Sequence, residues 1–140
     1  MTRPLPLRPG PLLVVAAGGS VGTAGRYATA LALPPLGALP VATIAVNLVG
    51  AFLLGVLLEA LARRGSDEGR RRSLRLLLGT GFLGGFTTYS TFSLDTVSLL
   101  ESDRVGEAAL VAAITLVLGT GAAVLGIALA SRLRSTGEAE

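Results

Sequence analysis

Nineteen consecutive residues, 76–94, carry no charge and are bounded by Arg75 and Asp95. As a helix they would extend ~28 Å, close to the ~30 Å hydrocarbon core of a bilayer. The interior of the run is not what lipid requires. Gly79, Gly81, Gly84 and Gly85 come first, followed by the hydroxyls of Thr87, Thr88, Tyr89, Ser90, Thr91 and Ser93. Glycines weaken a helix, and main-chain carbonyls freed at membrane depth are tolerated only where they face protein, water or an ion. The run therefore predicts a transmembrane helix that is broken near its middle and lines a site.

The rest of the sequence fits that setting. It is 51% hydrophobic and only 15% charged, against roughly 25% charged in soluble domains. Cys and His are both absent. That excludes disulfides, thiol nucleophiles, imidazole bases and the usual zinc ligands. No base and nucleophile pair remains, so the chain does not read as an enzyme. All 12 basic residues are arginine. They lie at the ends of apolar runs without interleaved aromatics, which is not a nucleic-acid pattern.

Hydrophobic runs predict a single all-α membrane domain over residues 1–140, with four transmembrane helices at about 11–33, 41–61, 76–100 and 107–130. Arg3 and Arg8 ahead of an apolar stretch resemble a signal peptide. The apolar pattern continues past the following small residues, so a first span is the reading adopted. Pro11 suits a first helical turn. Only fifteen uncharged residues, 11–25, precede Arg26, ~22 Å of helix. Arg26 then either snorkels from the outer end or faces a wet cavity. Gly18, Gly22 and Gly25 form a small-residue stripe suited to close helix packing. Residues 1–10 read as irregular, 33–40 as a stiff proline-rich loop, 63–75 as a polar loop with six arginines, and 131–140 as a charged tail.

Four spans put both termini and the 63–75 loop on one side. That side holds Arg3, Arg8, Arg63, Arg64, Arg70, Arg71, Arg72, Arg75, Arg132 and Arg134, ten in all, and the other holds Arg26 and Arg104, two. The bias predicts cytoplasmic termini.

Several residues are candidates for a site. Asn47 is the one strongly polar residue deep in the second span, with Thr43 and Gly50 on roughly the same face. It serves either as interhelical glue or as a hydrogen-bond donor to an anion. Tyr89 and Phe92 are neighbours on one helix face. They are either core packing or ring edges whose partial positive charge touches a dehydrated anion. Six hydroxyl-bearing residues among seven positions, 87–93, exceed what bonding back to the helix requires. They favour a polar pathway. Asp95 marks the water boundary.

Four segments together resemble the Fluc (CrcB) family of fluoride channels: GGSVGTAGRY at 18–27, TIAVNLVGAFLLG at 43–55, GTGFLGGFTTYSTFSLD at 79–95 and, more weakly, TLVLGTGAAVLG at 115–126. The resemblance implies a dual-pore antiparallel dimer that exports fluoride passively. It implies a structural sodium ion held by main-chain carbonyls of the broken third helix, at Gly84 and Thr87. The fluoride pathway then falls on Asn47, Tyr89, Ser90, Thr91, Phe92 and Thr115, and Arg26 falls in the vestibule. Tyr89 stands where the family has a phenylalanine, Val111 where some members carry tyrosine, and Asp95 where glutamate is common.

The arginine bias adds one expectation. A chain that inserts both ways needs weak asymmetry, so ten against two predicts one orientation and a homologous, oppositely oriented partner subunit. Two other readings are weaker. A four-helix dimeric multidrug-type exporter needs an acid in its first span, and none lies between Pro11 and Leu33. A non-conducting membrane assembly subunit explains the small-residue packing but not the hydroxyl run.

Overall fold

The computed structural model describes residues 9–132. The expectations for Arg3, Arg8, Arg134 and most of the two terminal segments lie outside the described residues. Five helical elements follow one another. Helix α1 is Pro9–Ala32 and α2 is Val41–Ala62. Helix α3 has three parts: α-helical Gly69–Leu74, π-helical Arg75–Leu83 and a last α turn, Gly84–Phe86. Two extended residues follow, Thr87 (φ −77°, ψ 162°) and Thr88 (φ −150°, ψ 125°). Helix α4 is Tyr89–Glu101, and α5 is Val105–Arg132 with a π-helical stretch at Ile114–Leu118.

Main-chain contact between helices is made possible by glycine. A methyl on Gly22 would overlap the Phe82 carbonyl oxygen, and one on Gly18 would overlap that of Leu77. In return, a methyl on Gly81 would sit 2.8 Å from Val15 O and 3.0 Å from Gly18 Cα. The α1 and α3 backbones thus touch, as small residues allow in membrane bundles. The same device joins α2 to α5, where Gly55 lies on the Ala123 main chain and Gly126 on that of Phe52. A methyl on Gly25 would meet only the Phe86 ring, at an ordinary 3.5 Å, so the predicted stripe is tight at two of its three positions.

The loop between α1 and α2 is short and turned. Leu36 and Leu39 exchange main-chain bonds of 3.2 and 3.1 Å around Gly37, whose φ is +65°. Helix boundaries differ from expectation at three places. Helix α1 already starts at Pro9, inside the stretch read as irregular. Helix α3 starts at Gly69, so Arg70, Arg71, Arg72 and Arg75 are helical rather than loop; arginine is a good helix former, and only a turn at Gly65–Glu68 is needed. Helix α5 continues to Arg132, because buried Ala130 still faces the bundle.

The interior is small. Leu99, Ala108 and Val111 form its centre, with Ala38, Leu39, Ile44 and Phe92 packed against them. Many large apolar side chains point outward instead, among them Leu116 at 65% and Val117 at 68% exposure. Helices α2 and α5 are each long and apolar enough to cross a bilayer.

Candidate functional site

Three successive turns of α2 face α4 and the extended pair that precedes it. Thr43 Oγ1 donates to Asp95 Oδ2 at 2.7 Å. Asn47 contacts Thr88, and Gly50 leaves room for the Thr87 methyl. The face predicted for Thr43, Asn47 and Gly50 is thus the one that meets the third segment.

The hydrogen bonds around Thr87 and Thr88 explain how the extended pair persists. Thr87 N and Oγ1 both donate to Leu83 O, at 2.9 and 2.8 Å, which closes α3. A continuous helix would next send Thr88 N–H to Gly84 O. It goes instead to Asn47 Oδ1, at 2.8 Å, while Asn47 Nδ2 donates to Thr88 O at 3.0 Å. Thr91 N–H, which a continuous helix would send to Thr87 O, is accepted by Thr88 Oγ1 at 3.1 Å. Thr88 is therefore the N-cap of α4. Buried main-chain polar groups demand partners, and side chains provide them here.

Gly84 O and Thr87 O each lose the helical donor in this arrangement. A methyl added to Gly84 would meet nothing within 4 Å. Both residues line a concavity of about 280 Å³ with Asn47, Gly50, Leu54 and Gly79. Among the described residues no cluster of carboxylates offers a metal site. Neutral main-chain oxygens are the donors available, and they suit a hard, weakly charged cation rather than a transition metal. The residues present fit the sodium ion implied for Gly84 and Thr87.

A second concavity, about 240 Å³, is lined by Arg26, Thr43, Thr88 and Thr91, among others. Successive side chains of an extended segment point to opposite sides, and Thr87 and Thr88 accordingly line different cavities. Arg26 reaches the interruption from α1. Its Nε donates to Gly85 O at 3.2 Å and its Nη1 to Thr91 Oγ1 at 3.4 Å. Among the described residues no carboxylate lies within ion-pair distance of this half-buried guanidinium.

Arg26, Asn47, Gly84, Thr87 and Thr91 surround the interruption, Arg26 and Thr91 on one cavity and Asn47, Gly84 and Thr87 on the other. Ser90 Oγ reaches it too, 3.3 Å from Thr88 Oγ1, whereas Tyr89, Phe92 and Thr115 line neither cavity. Tyr89 is 82% exposed and Ser90 is exposed. The Tyr89 and Phe92 rings are neighbours, with centroids 6.1 Å apart and planes tilted by 43°. Phe92 leans on the Leu99–Val111 cluster, and Val111 is wholly buried in it. Thr115 lies in the π-helical stretch of α5 and lines neither cavity. Its Oγ1 is buried without a hydrogen-bond partner among the described residues.

Three participants escaped the sequence reading. Thr88 was visible only as one of six hydroxyls, although a threonine three residues before Thr91 is an N-cap spacing. The Thr43–Asp95 pair joins residues 52 apart in sequence. The Gly85 carbonyl has no side-chain signal at all.

Away from the interruption, Arg75 holds Asp67 with three contacts of 2.6–3.0 Å at the start of α3. Those bonds keep the exposed Asp67 carboxyl below its usual range.

Comparison with known proteins places these features in context. Residues 13–127 match the profile of the family described as CrcB-like protein, Camphor Resistance (CrcB). The chain is 49% identical over 122 residues to "Fluoride-specific ion channel FluC 2" of Leifsonia xyli, covering 87% of this chain and 84% of that one. It is 48% identical over 120 residues to "Fluoride-specific ion channel FluC" of Novosphingobium aromaticivorans, covering 82% and 91%. A protein of the same name from Agrobacterium fabrum is 42% identical over 124 residues, covering 87% and 97%.

Proposed function

The chain belongs to the CrcB-like protein family, and from that membership we propose that it is a fluoride-specific ion channel and not an enzyme. It is an integral membrane protein, and its helices α2 and α5 are each long and apolar enough to cross the bilayer. The observation that carries the reading is the half-buried Arg26 guanidinium, without a carboxylate partner among the described residues, beside the hydroxyls of Thr88 and Thr91. A fixed cation among neutral donors is a site for an anion.

Fluoride is small and strongly hydrated, so a pore must replace its water with donors. Arg26 raises the local anion concentration at the vestibule. Hydroxyls of Ser90 and Thr91, the remaining N–H of Asn47 Nδ2 and the ring edges of Tyr89 and Phe92 then take over from water. Thr115 Oγ1 adds a buried hydroxyl with an uncommitted proton. No coupled carboxylate is needed. A negative interior drives the anion outward by ~2.3 kcal/mol per charge per 100 mV.

Tyr89 and Ser90 are exposed on the single chain, which supports a pathway completed by a second subunit. The arrangement proposed is an antiparallel dimer with two pores and four spans per chain, in a bacterial plasma membrane with cytoplasmic termini. Gly84 O and Thr87 O would hold a structural sodium ion, which supplies a fixed positive charge where broken helices meet. The arginine bias of ten to two favours a homologous, oppositely oriented partner over a self-pair.

Efflux from liposomes tests the function. Fluoride release with chloride retained is the expected result, and equal release of both, or of neither, contradicts it. C-terminal reporter fusions test the orientation, since equal signals on both sides of the membrane in cells making only this chain would exclude a single orientation.

A further inference from the structure

We propose that Arg26 is a positioning residue: a clamp across the interruption that joins the end of α3 to the start of α4. Its consequence for conduction rests on the channel reading above; the clamp itself rests on geometry. Gly85 lies before the extended pair and Thr91 after it. One guanidinium holds both, with Nε on Gly85 O at 3.2 Å and Nη1 on Thr91 Oγ1 at 3.4 Å.

Each end of the clamp is tied into the break. An uninterrupted helix would send Tyr89 N–H to Gly85 O, and Arg26 Nε now serves that oxygen. Thr91 Oγ1 also receives the Thr88 hydroxyl at 3.0 Å, and Thr88 Oγ1 receives Thr91 N–H. Arg26 thus reaches the α4 cap through Thr91. The base of the clamp is firm. One turn earlier on α1, Gly22 packs so closely on the Phe82 main chain that a methyl there would overlap its carbonyl oxygen. The arginine therefore extends from a helix whose distance to α3 is fixed by main-chain contact.

A vestibule charge alone does not require this geometry. An ammonium would provide the same field, but it is a point donor on a flexible stem. The guanidinium presents N–H groups in a rigid planar fork that can hold two acceptors at once. Arg26 keeps its other N–H groups for the cavity it lines with Thr88 and Thr91. The same side chain that faces an arriving anion also sets where the Thr91 hydroxyl stands.

The test compares the full-length wild type with Arg26→Lys and Arg26→Gln in liposomes at low protein density. The fraction of vesicles that empty reports folded channels, and the emptying rate reports each channel. Hydrogen exchange of the amides at 87–91 reports the break directly. Loss of a charge-assisted hydrogen bond corresponds to about tenfold. Both variants are expected to slow the rate per channel by about that factor, with the emptied fraction unchanged, and to quicken exchange. A lysine variant that matches wild type in rate and exchange reduces Arg26 to a charge and overturns the clamp. A loss confined to the emptied fraction, with normal rate and exchange, reduces it to a folding contact and also overturns it. If the wild type passes no fluoride, the channel reading fails, and exchange in the two variants still decides the clamp.

Discussion

The side-chain amide of Asn47 meets the main chain of Thr88 twice, accepting its N–H at 2.8 Å and donating to its carbonyl at 3.0 Å. One amide thereby substitutes for a neighbouring backbone and makes two extended residues tolerable where a helix would otherwise run on. The two readings of Asn47 from sequence, glue and donor, are not exclusive. Its oxygen and one N–H hold the break, and the second N–H of Nδ2 remains.

Asn47→Asp separates those parts. The carboxylate can still accept Thr88 N–H, but it cannot donate to Thr88 O, and it places negative charge in an anion path. Loss of one buried bond should lower stability by about 1–3 kcal/mol. Fluoride efflux should be abolished, which a fluoride electrode on loaded liposomes measures. Wild-type flux in Asn47→Asp would show that neither the donor nor the local potential matters.

Glycines divide by what lies above them. A methyl on Gly22 overlaps the Phe82 carbonyl, whereas one on Gly106 meets nothing within 4 Å. Gly22→Ala should separate α1 from α3 and lower thermal stability in detergent by about 3 kcal/mol or more, the upper end for overpacking. Gly106→Ala, in the first turn of α5, should be neutral or gain up to ~1 kcal/mol from reduced unfolded-chain entropy. Equal melting shifts for the two would mean that the α1–α3 contact does not limit stability.

Much of this was legible in the sequence because period and composition report local physics. Glycines spaced for contact, a lone asparagine at depth and hydroxyls after paired glycines located α1, α2 and the third segment. The face carrying Thr43, Asn47 and Gly50 was read from helical spacing, and the structure shows that what it meets is the third segment. What spacing does not encode is which distant groups serve the freed backbone. Arg26 reaching Gly85 spans 59 positions, and Thr43 reaching Asp95 spans 52. The helical character of residues 69–75 was missed because arginine density was read as solvation, whereas the same arginines also propagate helix.

Asp67 gives a pH prediction outside the spans. Hydrogen bonds from the Arg75 side chain hold its carboxyl below the usual aspartate value, which is about 3.9 in unfolded peptides. A depressed folded pKa stabilises above the unfolded value, and that contribution is lost as pH falls through the folded one. Stability should thus be insensitive to Asp67 between pH 5 and 8, by that ~3.9 reference, and should decline only in stronger acid. Asp67→Asn should lose this acid-range slope in melting curves taken across pH. The pair is exposed and screened, so the effect is small. An unchanged acid limb in Asp67→Asn would assign the slope to other carboxylates.

Thr115 offers the sharpest contrast between stability and function. Its Oγ1 is buried with no partner among the described residues, and an unsatisfied buried hydroxyl costs about 1–3 kcal/mol. Valine has nearly the same shape without that group. If the hydroxyl served the fold, Thr115→Val would be destabilising. If it is kept as a donor for a passing anion, the same change should leave stability equal or higher while lowering fluoride flux. We expect the second outcome, with flux reduced about tenfold, equivalent to ~1.4 kcal/mol of lost stabilisation in the pathway. Melting temperature and efflux rate on the same preparation decide it. A less stable variant with normal flux would return Thr115 to the packing of α5 and remove it from the pathway.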